Sequence, residues 1–536
     1  MYTQILDPAG MLHLSALCAA LPLATLFLLL GVLRTRAYVA ALASLSIAVA
    51  VALLVYKMPT LQIVSSGTEG IVFGLFPICW LVINALWIYN LTVESGHFVI
   101  LRNSFQSLST DQRIQAILIA FCFGALLESL AGAGAPVAIC AVMLIGLGFR
   151  PVVAATVCLV ANTAPVAFAA LALPITVLAN VTGLPFSDLG AMVGRQTPVL
   201  ACMVPLILVY MVDGKRGLKE MWMPALCAGI SFSAAQFLAS NYISVALTDI
   251  FATLAATLAL LVTTNRMKVV IPSVRADETF VTPNASSKPR CEDIAKAYAP
   301  YAVVIIVFAL AQISFVKNFL DSATQVIAWP GLNVTSPSGH PVAATNLKIE
   351  WLGAAGTLLF LCGVITAGLL RVSPSRAAAL WLNTVIEMRS AILTIVSVLA
   401  LAYVMNLGGL TSTLGVWMAG SGTFFAFLSP FIGWLGVAIT GSDASANALF
   451  GTLQVTAANQ AGLHPVVLAA ANCAGGVLGK MLSPQTLAIA AVAVKMQGQE
   501  GMLFRKVFAW SIGLTTLMGI LVYLQTTPIL AWMVVQ

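Results

Sequence analysis

Residues 114–149 read IQAILIAFCFGALLESLAGAGAPVAICAVMLIGLGF. Two apolar arms flank the segment ESLAGAGAP, 128–136, where Gly132, Gly134 and Pro136 disfavour continuous helix. Each arm is about 15 residues, ~22 Å, short for a ~30 Å hydrocarbon core. The pattern predicts a helical hairpin over 114–149 that enters a membrane, turns inside it and leaves on the same side. A second broken stretch, 416–463, carries TGSDASANALFG at 440–451 and predicts a second hairpin. Non-helical backbone at that depth is tolerated only against protein or a wet cavity. The two tips should therefore approach a central cavity.

The rest of the chain fits that setting. Of 536 residues, 60% are hydrophobic and 8% charged, against roughly 25% charged in a soluble domain. The mean hydropathy is +1.01. Soluble enzymes, disordered chains and disulfide scaffolds are excluded. Twelve apolar runs read as spans: 11–33, 37–56, 70–93, 151–173, 191–212, 221–241, 243–262, 297–320, 350–370, 377–404, 465–483 and 505–526. Nothing basic precedes the first, and no small-residue cleavage site follows it, so it reads as a span and not a signal peptide. The fold class expected is an all-α polytopic membrane protein with about 12 transmembrane helices plus two re-entrant hairpins.

Nine of the ten cysteines sit in apolar runs without a C-x-x-C, and the four histidines lie in separate segments. Packing roles are expected for the cysteines, with no metal, haem or other cofactor. No phosphate loop or dinucleotide fingerprint occurs. The formal charge of +7 is distributed by membrane face and gives no reason to expect nucleic acid. With the N-terminus outside, nineteen Lys and Arg fall on inside segments and three outside, at Lys57, Lys317 and Lys348. That asymmetry predicts both termini outside.

An internal repeat is visible. RPVVAATVCLVANTAPVAFAALALP, 150–174, follows the first broken stretch, and HPVVLAAANCAGGVLGKMLSP, 464–484, follows the second. Each has PVV near its start and an Asn twelve residues before a Pro: Asn162 to Pro174, and Asn472 to Pro484. The span count inverts one copy relative to the other. The domains expected are a first repeat over 1–213, two linking helices and a cytoplasmic loop over 214–296, and a second repeat over 297–536. Inverted repeats with interrupted helices are the pattern of secondary transporters.

Charges at membrane depth cost at least ~2.5–3.5 kcal/mol each unless paired or hydrated. The acids read at depth are Glu128, Glu387 and Asp443; the bases are Arg195, Arg389 and Lys480. Asp249 reads as near the outer end of its span. Structural ion pairing is the expectation for Glu387 and Arg389. Asp443 and Glu128 are the candidates for an exchangeable proton. Lys480 follows the small-residue run AGGVLG, which lets a ligand or another helix approach closely; an anion partner or a buried acid could meet it there. Ser442, Asp443 and Ser445 are good N-cap residues, so capping competes with ligand contact for Ser442. Asn447 shares a helix face with Asp443. Arg195 can snorkel outward from its span.

The motifs LLESLAGAGAPVAI, VANTAPVAF, VGRQTPVL, TGSDASANALFGTLQ and GGVLGKMLSPQ resemble the L-lactate permease family, which also includes glycolate permeases. The resemblance runs through both repeats, roughly 70–213 and 377–526. It implies proton-coupled uptake of L-lactate, with D-lactate and glycolate also accepted, across a bacterial inner membrane. It further implies an elevator-type carrier and no enzymatic activity. Lactate offers a carboxylate and an adjacent hydroxyl; Ser129, Gly132, Gly134, Asn162, Thr163, Arg195, Ser442, Ser445, Asn447, Asn472 and Lys480 supply the group types such a site needs. The partners expected are a small monocarboxylate, protons and membrane lipid, and a homo-oligomer is compatible with the reading. Two rival classes share parts of the pattern: a sodium-coupled carboxylate or sulfate carrier, and a proton-translocating subunit of a respiratory complex.

Overall fold

The computed structural model describes residues 2–33, 35–106, 108–109, 111–131, 135–267, 291–311, 313–335, 345–496 and 499–535. Among them, eleven helices are long and apolar enough to cross a membrane. The number is twelve if the pair Pro151–Ala161 and Val166–Thr182, bent by 59°, counts as one span. In lipid a helix satisfies its own backbone groups, and that is why Leu-, Ala- and Val-rich runs settle as helices. The chain is an all-α polytopic membrane protein with two short strand pairs at its margin. Tyr2–Thr3 pairs with Val334–Thr335, and Thr324–Ala328 pairs with Asn346–Glu350.

The helices pack in two groups. One holds Ala37–Leu54, Thr60–Phe73, Trp80–Glu94, Cys291–Ala311, Ala355–Leu369 and Arg389–Gly408. The other holds both broken stretches and the helices that follow them. Burial separates inner from outer helices: Gln112–Leu130 is wholly buried, whereas a third of Leu12–Leu30 is. Pro465–Gly479 lies at the centre of the second group, against Phe425–Thr440, Asp443–Ala461, Phe186–Ala201 and Glu500–Gln525. It approaches Phe425–Thr440 closely because a Cβ at Gly475 would overlap the Pro430 carbonyl, and one at Gly433 the Asn472 carbonyl. Small residues at such a seam replace the hydrophobic drive that lipid cannot supply.

Several elements differ from the sequence expectation. The span expected at 70–93 begins at Thr60 and so takes in Glu69. The runs expected at 191–212 and 221–241 are joined by Val204–Leu238, which turns at Gly214 with φ 63° and ψ −147°. The run 377–404 is two helices, Pro374–Glu387 and Arg389–Gly408, meeting at Met388. Glu387 and Arg389 are exposed at this joint, so neither is a charge buried at depth. Pro374–Glu387 buries only Ala377 and Thr384, and Thr384 accepts from Asn90 Nδ2 at 2.9 Å. The first hairpin arm, 112–131, is also longer than expected, at ~30 Å for its helical length.

Candidate functional site

After each of the two broken stretches comes a helix that stops in mid-course. Pro151–Ala161 ends at Asn162, and a short turn over Val166–Phe168 precedes Ala169–Thr182. At the start of that second piece Ala170, Leu171 and Ala172 hold φ of 43°, 55° and 62°. Pro465–Gly479 gives way to a tight turn, Lys480–Leu482, before Pro484–Ala493. Ser483 caps that last piece, its Oγ accepting from the Thr486 N–H at 3.2 Å. Lys480 thus follows a helix C-terminus, where carbonyl dipoles favour a cation.

The breaks bring together residues far apart in the chain. Lys480 Nζ donates to Glu128 Oε1 at 2.6 Å, and Asn162 Nδ2 to Glu128 Oε2 at 2.9 Å. The side chains are 8% and 0% exposed for Lys480 and Glu128. A dry ion pair of this kind is costly to break one-sidedly, because removal of one partner leaves an uncompensated charge. Asn162 Oδ1 is buried with no partner among the described residues.

The second hairpin supplies the next layer. Gly441, at φ 75°, ends Phe425–Thr440 in the left-handed conformation that glycine adopts without steric cost. Ser442 then caps Asp443–Ala461, its Oγ accepting from the Ser445 N–H at 3.2 Å. Asp443 follows in the first turn, buried. Its Oδ2 accepts from Cys473 Sγ at 3.0 Å, while Oδ1 lacks a partner among the described residues. A run of amides crosses the core beside it. Gln454 Nε2 donates to Asn472 Oδ1 at 3.1 Å, Asn472 Nδ2 to Asn447 Oδ1 at 2.8 Å, and Asn447 Nδ2 to the Pro174 carbonyl at 3.1 Å. The last bond ties the second hairpin to Ala169–Thr182.

The residues singled out from sequence divide accordingly. Glu128, Asn162 and Lys480 meet directly. Asp443, Asn447 and Asn472 meet through Cys473 and the amide run. Thr163 and Ser129 are buried, with hydroxyls bonded to the carbonyls of Val160 and Leu126. Gly132 and Gly134 lie outside the described residues. Arg195 is a correction: its guanidinium donates to Asn241 Oδ1 at 2.9 Å and to the Met533 carbonyl at 3.1 Å. Its helix, Phe186–Ala201, starts five residues before the expected 191, and these bonds hold Arg195 to the C-terminal segment.

Three further buried groups lie outside the residues singled out as functional. Cys473 adjoins Asn472 and bonds Asp443. Glu69 is 1% exposed with Oε2 unpartnered among the described residues. Asp249, expected at the membrane edge, is 1% exposed. A cavity of about 10 Å³ lies beside Thr163, Ala164 and Thr197, lined otherwise by apolar side chains; it has room for about one water. Among the described residues no group of three or more His, Cys, Asp or Glu is placed to hold a metal.

Comparison with known proteins gives the cluster its context. The family pattern described as L-lactate permease matches residues 15–529. The L-lactate permease of Bacillus subtilis strain 168 is 40% identical, over 99% of this chain and 100% of that protein. The L-lactate permease of Escherichia coli K12 is 40% identical over 100% of both. The glycolate permease GlcA of the same strain is 40% identical over 98% of both. Among solved structures, the Alcanivorax borkumensis YdaH transporter matches 87% of each chain at a TM-score of 0.47 and 14% identity.

Proposed function

The chain belongs to the L-lactate permease family, and from that premise we propose that it imports L-lactate, with D-lactate and glycolate, across a bacterial inner membrane by proton symport. The observation that supports the coupling is the Lys480–Glu128 pair. Lactate brings one negative charge into a site whose cation is already neutralised. If its carboxylate engages Lys480 while Glu128 stays ionised, the dry cluster gains an uncompensated charge, which is strongly disfavoured. A proton on Glu128 removes that charge and frees Lys480 for the substrate. Binding of anion and proton therefore favour each other. Asn162 Oδ1, buried and unpartnered beside the pair, accepts the lactate hydroxyl in this reading. Asp443 remains a second candidate for proton exchange.

Movement follows the packing. The group containing both hairpins and both broken helices shifts against the other group as an elevator, exposing the cluster to each side in turn. The two hairpins, one from each inverted repeat, act as the inner and outer gates. Both termini lie outside, as the Lys and Arg count suggests.

The test is uptake of labelled lactate into proteoliposomes of the purified protein. An inward pH gradient is expected to drive accumulation, at ~1.4 kcal/mol per pH unit per proton. Accumulation driven by a sodium gradient and indifferent to pH would overturn the proton mechanism.

A further inference from the structure

One buried acid has no part in that mechanism. Asp249 stands in the first turn of Thr248–Met267, 1% exposed. Its Oδ1 accepts only a long bond, 3.5 Å, from Gln236 Nε2. Its Oδ2 has no partner among the described residues, nor has the buried hydroxyl of Thr253 one turn further on. Residues i and i+4 share a helix face, so two unsatisfied oxygen groups lie along one buried stripe. An acid kept for structure would be expected to use both its oxygens, because an unmade buried bond costs about 1–3 kcal/mol.

The surroundings offer it no base. Thr248–Met267 packs on Val204–Leu238, on the first hairpin arm, and on 169–182, 239–243 and 245–247. Arg113 of the hairpin arm is taken by Asp111, Asp213 and Glu220, and Arg195 by Asn241 and Met533. Cys122, on the hairpin arm, is buried, and Tyr242 is 72% exposed. Asp213, Lys215, Arg216, Lys219 and Glu220 lie four or more helical turns from Gln236 along their helix. Glu128 stands on Gly124–Ala131, which packs against Thr248–Met267. Two hydrogen bonds also lead toward the substrate cluster. The Gln236 amide that meets Asp249 donates to the Ala164 carbonyl at 3.2 Å, in the helix break two residues past Asn162.

We propose that Asp249 is a second carboxyl that takes up and gives back a proton in each transport cycle, so that two protons accompany each lactate. The inference rests on the proton-symport reading above. In the loaded carrier Glu128 and Asp249 are both protonated, Lys480 faces the lactate carboxylate, and the cluster is neutral. After lactate and both protons leave inside, Glu128 pairs with Lys480 again and Asp249 carries one negative charge. An inside-negative potential then favours return of the empty carrier, and one net positive charge enters per cycle.

The experiment uses full-length protein in proteoliposomes, with voltage set by potassium and valinomycin. With voltage clamped at zero, one unit of pH gradient is expected to concentrate lactate about a hundredfold in the wild type and about tenfold in Asp249→Asn. At zero pH gradient, about 60 mV inside-negative is expected to give about tenfold accumulation in the wild type and none in the variant. Lactate–lactate exchange, which needs no net proton movement, checks that the variant is folded. If exchange is lost, Asp249→Glu takes its place; it is expected to keep the voltage response, and loss of that response overturns the proposal. Wild type that responds to pH but not to voltage, or Asp249→Asn that keeps the voltage response, also overturns it. Wild type that ignores the pH gradient altogether refutes the symport reading instead.

Discussion

Gly476 lies against the Asp443 carboxyl, so that a Cβ at residue 476 would overlap Asp443 Oδ1. The acid fits beside Pro465–Gly479 only because that position carries no side chain. Gly476→Ala is expected to displace Asp443 from Cys473 and to lower stability by about 1–3 kcal/mol through overpacking. A thermal-shift series in detergent, with Gly513→Ala as a control in open space, reads the effect. Equal melting temperatures for the two variants would show that the close approach is dispensable.

Glu128→Gln removes the charge that neutralises Lys480. Lactate is then expected to bind without a proton on residue 128, with affinity that changes less steeply between pH 6 and 8. Exchange should persist, while accumulation driven by one unit of pH gradient falls from about a hundredfold to about tenfold, the proton on Asp249 remaining. Isothermal titration across pH, paired with uptake, separates the two effects. Undiminished pH dependence of affinity and of accumulation in this variant would take the coupling proton away from Glu128.

Lys480→Met leaves Glu128 buried beside Asn162 alone. Breaking a buried pair from one side costs about 3–5 kcal/mol, so expression should drop. The double variant Glu128→Gln/Lys480→Met should regain most of that stability yet fail to bind lactate. Recovery of binding in the double variant would show that Lys480 has no part in holding the substrate.

Ser442 caps its helix through the Ser445 N–H. Ser442→Ala should cost about 0.5–2 kcal/mol, and Ser442→Gly only a few tenths more than wild type. Lactate affinity should change less than twofold in both. A tenfold loss of affinity in Ser442→Gly, with the fold intact, would assign this hydroxyl to the substrate.

The inverted-hairpin arrangement predicts accessibility. Single cysteines at Gly132 and Ser445, in a cysteine-free background, should react with a membrane-impermeant thiol reagent from opposite faces. Saturating lactate should change both rates. Reaction of both from one face would contradict the arrangement.

Much of the fold was legible because lipid dictates it: an apolar run of about 20 residues has few alternatives to helix. The break in the second hairpin was legible too, in the polar run TGSDASANALFG, but those at Asn162 and Lys480 were not, since 151–173 and 465–483 read as unbroken spans. What composition does not encode is where a long helix bends or joins another. Met388, between Glu387 and Arg389, carries no helix-breaking residue beside it, yet it divides two helices. The site was legible as residue types but not as pairs. Lys480 and Glu128 are 352 residues apart, and nothing local says which acid meets which base. Asp249 does stand at the end of its helix, as read, but its burial was not legible because it comes from neighbouring helices packed over that end.

The three left-handed residues Ala170, Leu171 and Ala172 bear on how force passes through the carrier. Each such turn residue with a Cβ costs roughly 1–2 kcal/mol, and glycine would relieve it. Ala and Leu favour right-handed or extended backbone when free, so the packing around the bend is what holds it, with all three side chains buried. The second hairpin, which holds the Pro174 carbonyl through Asn447, is joined through that packed bend to the stretch carrying Asn162.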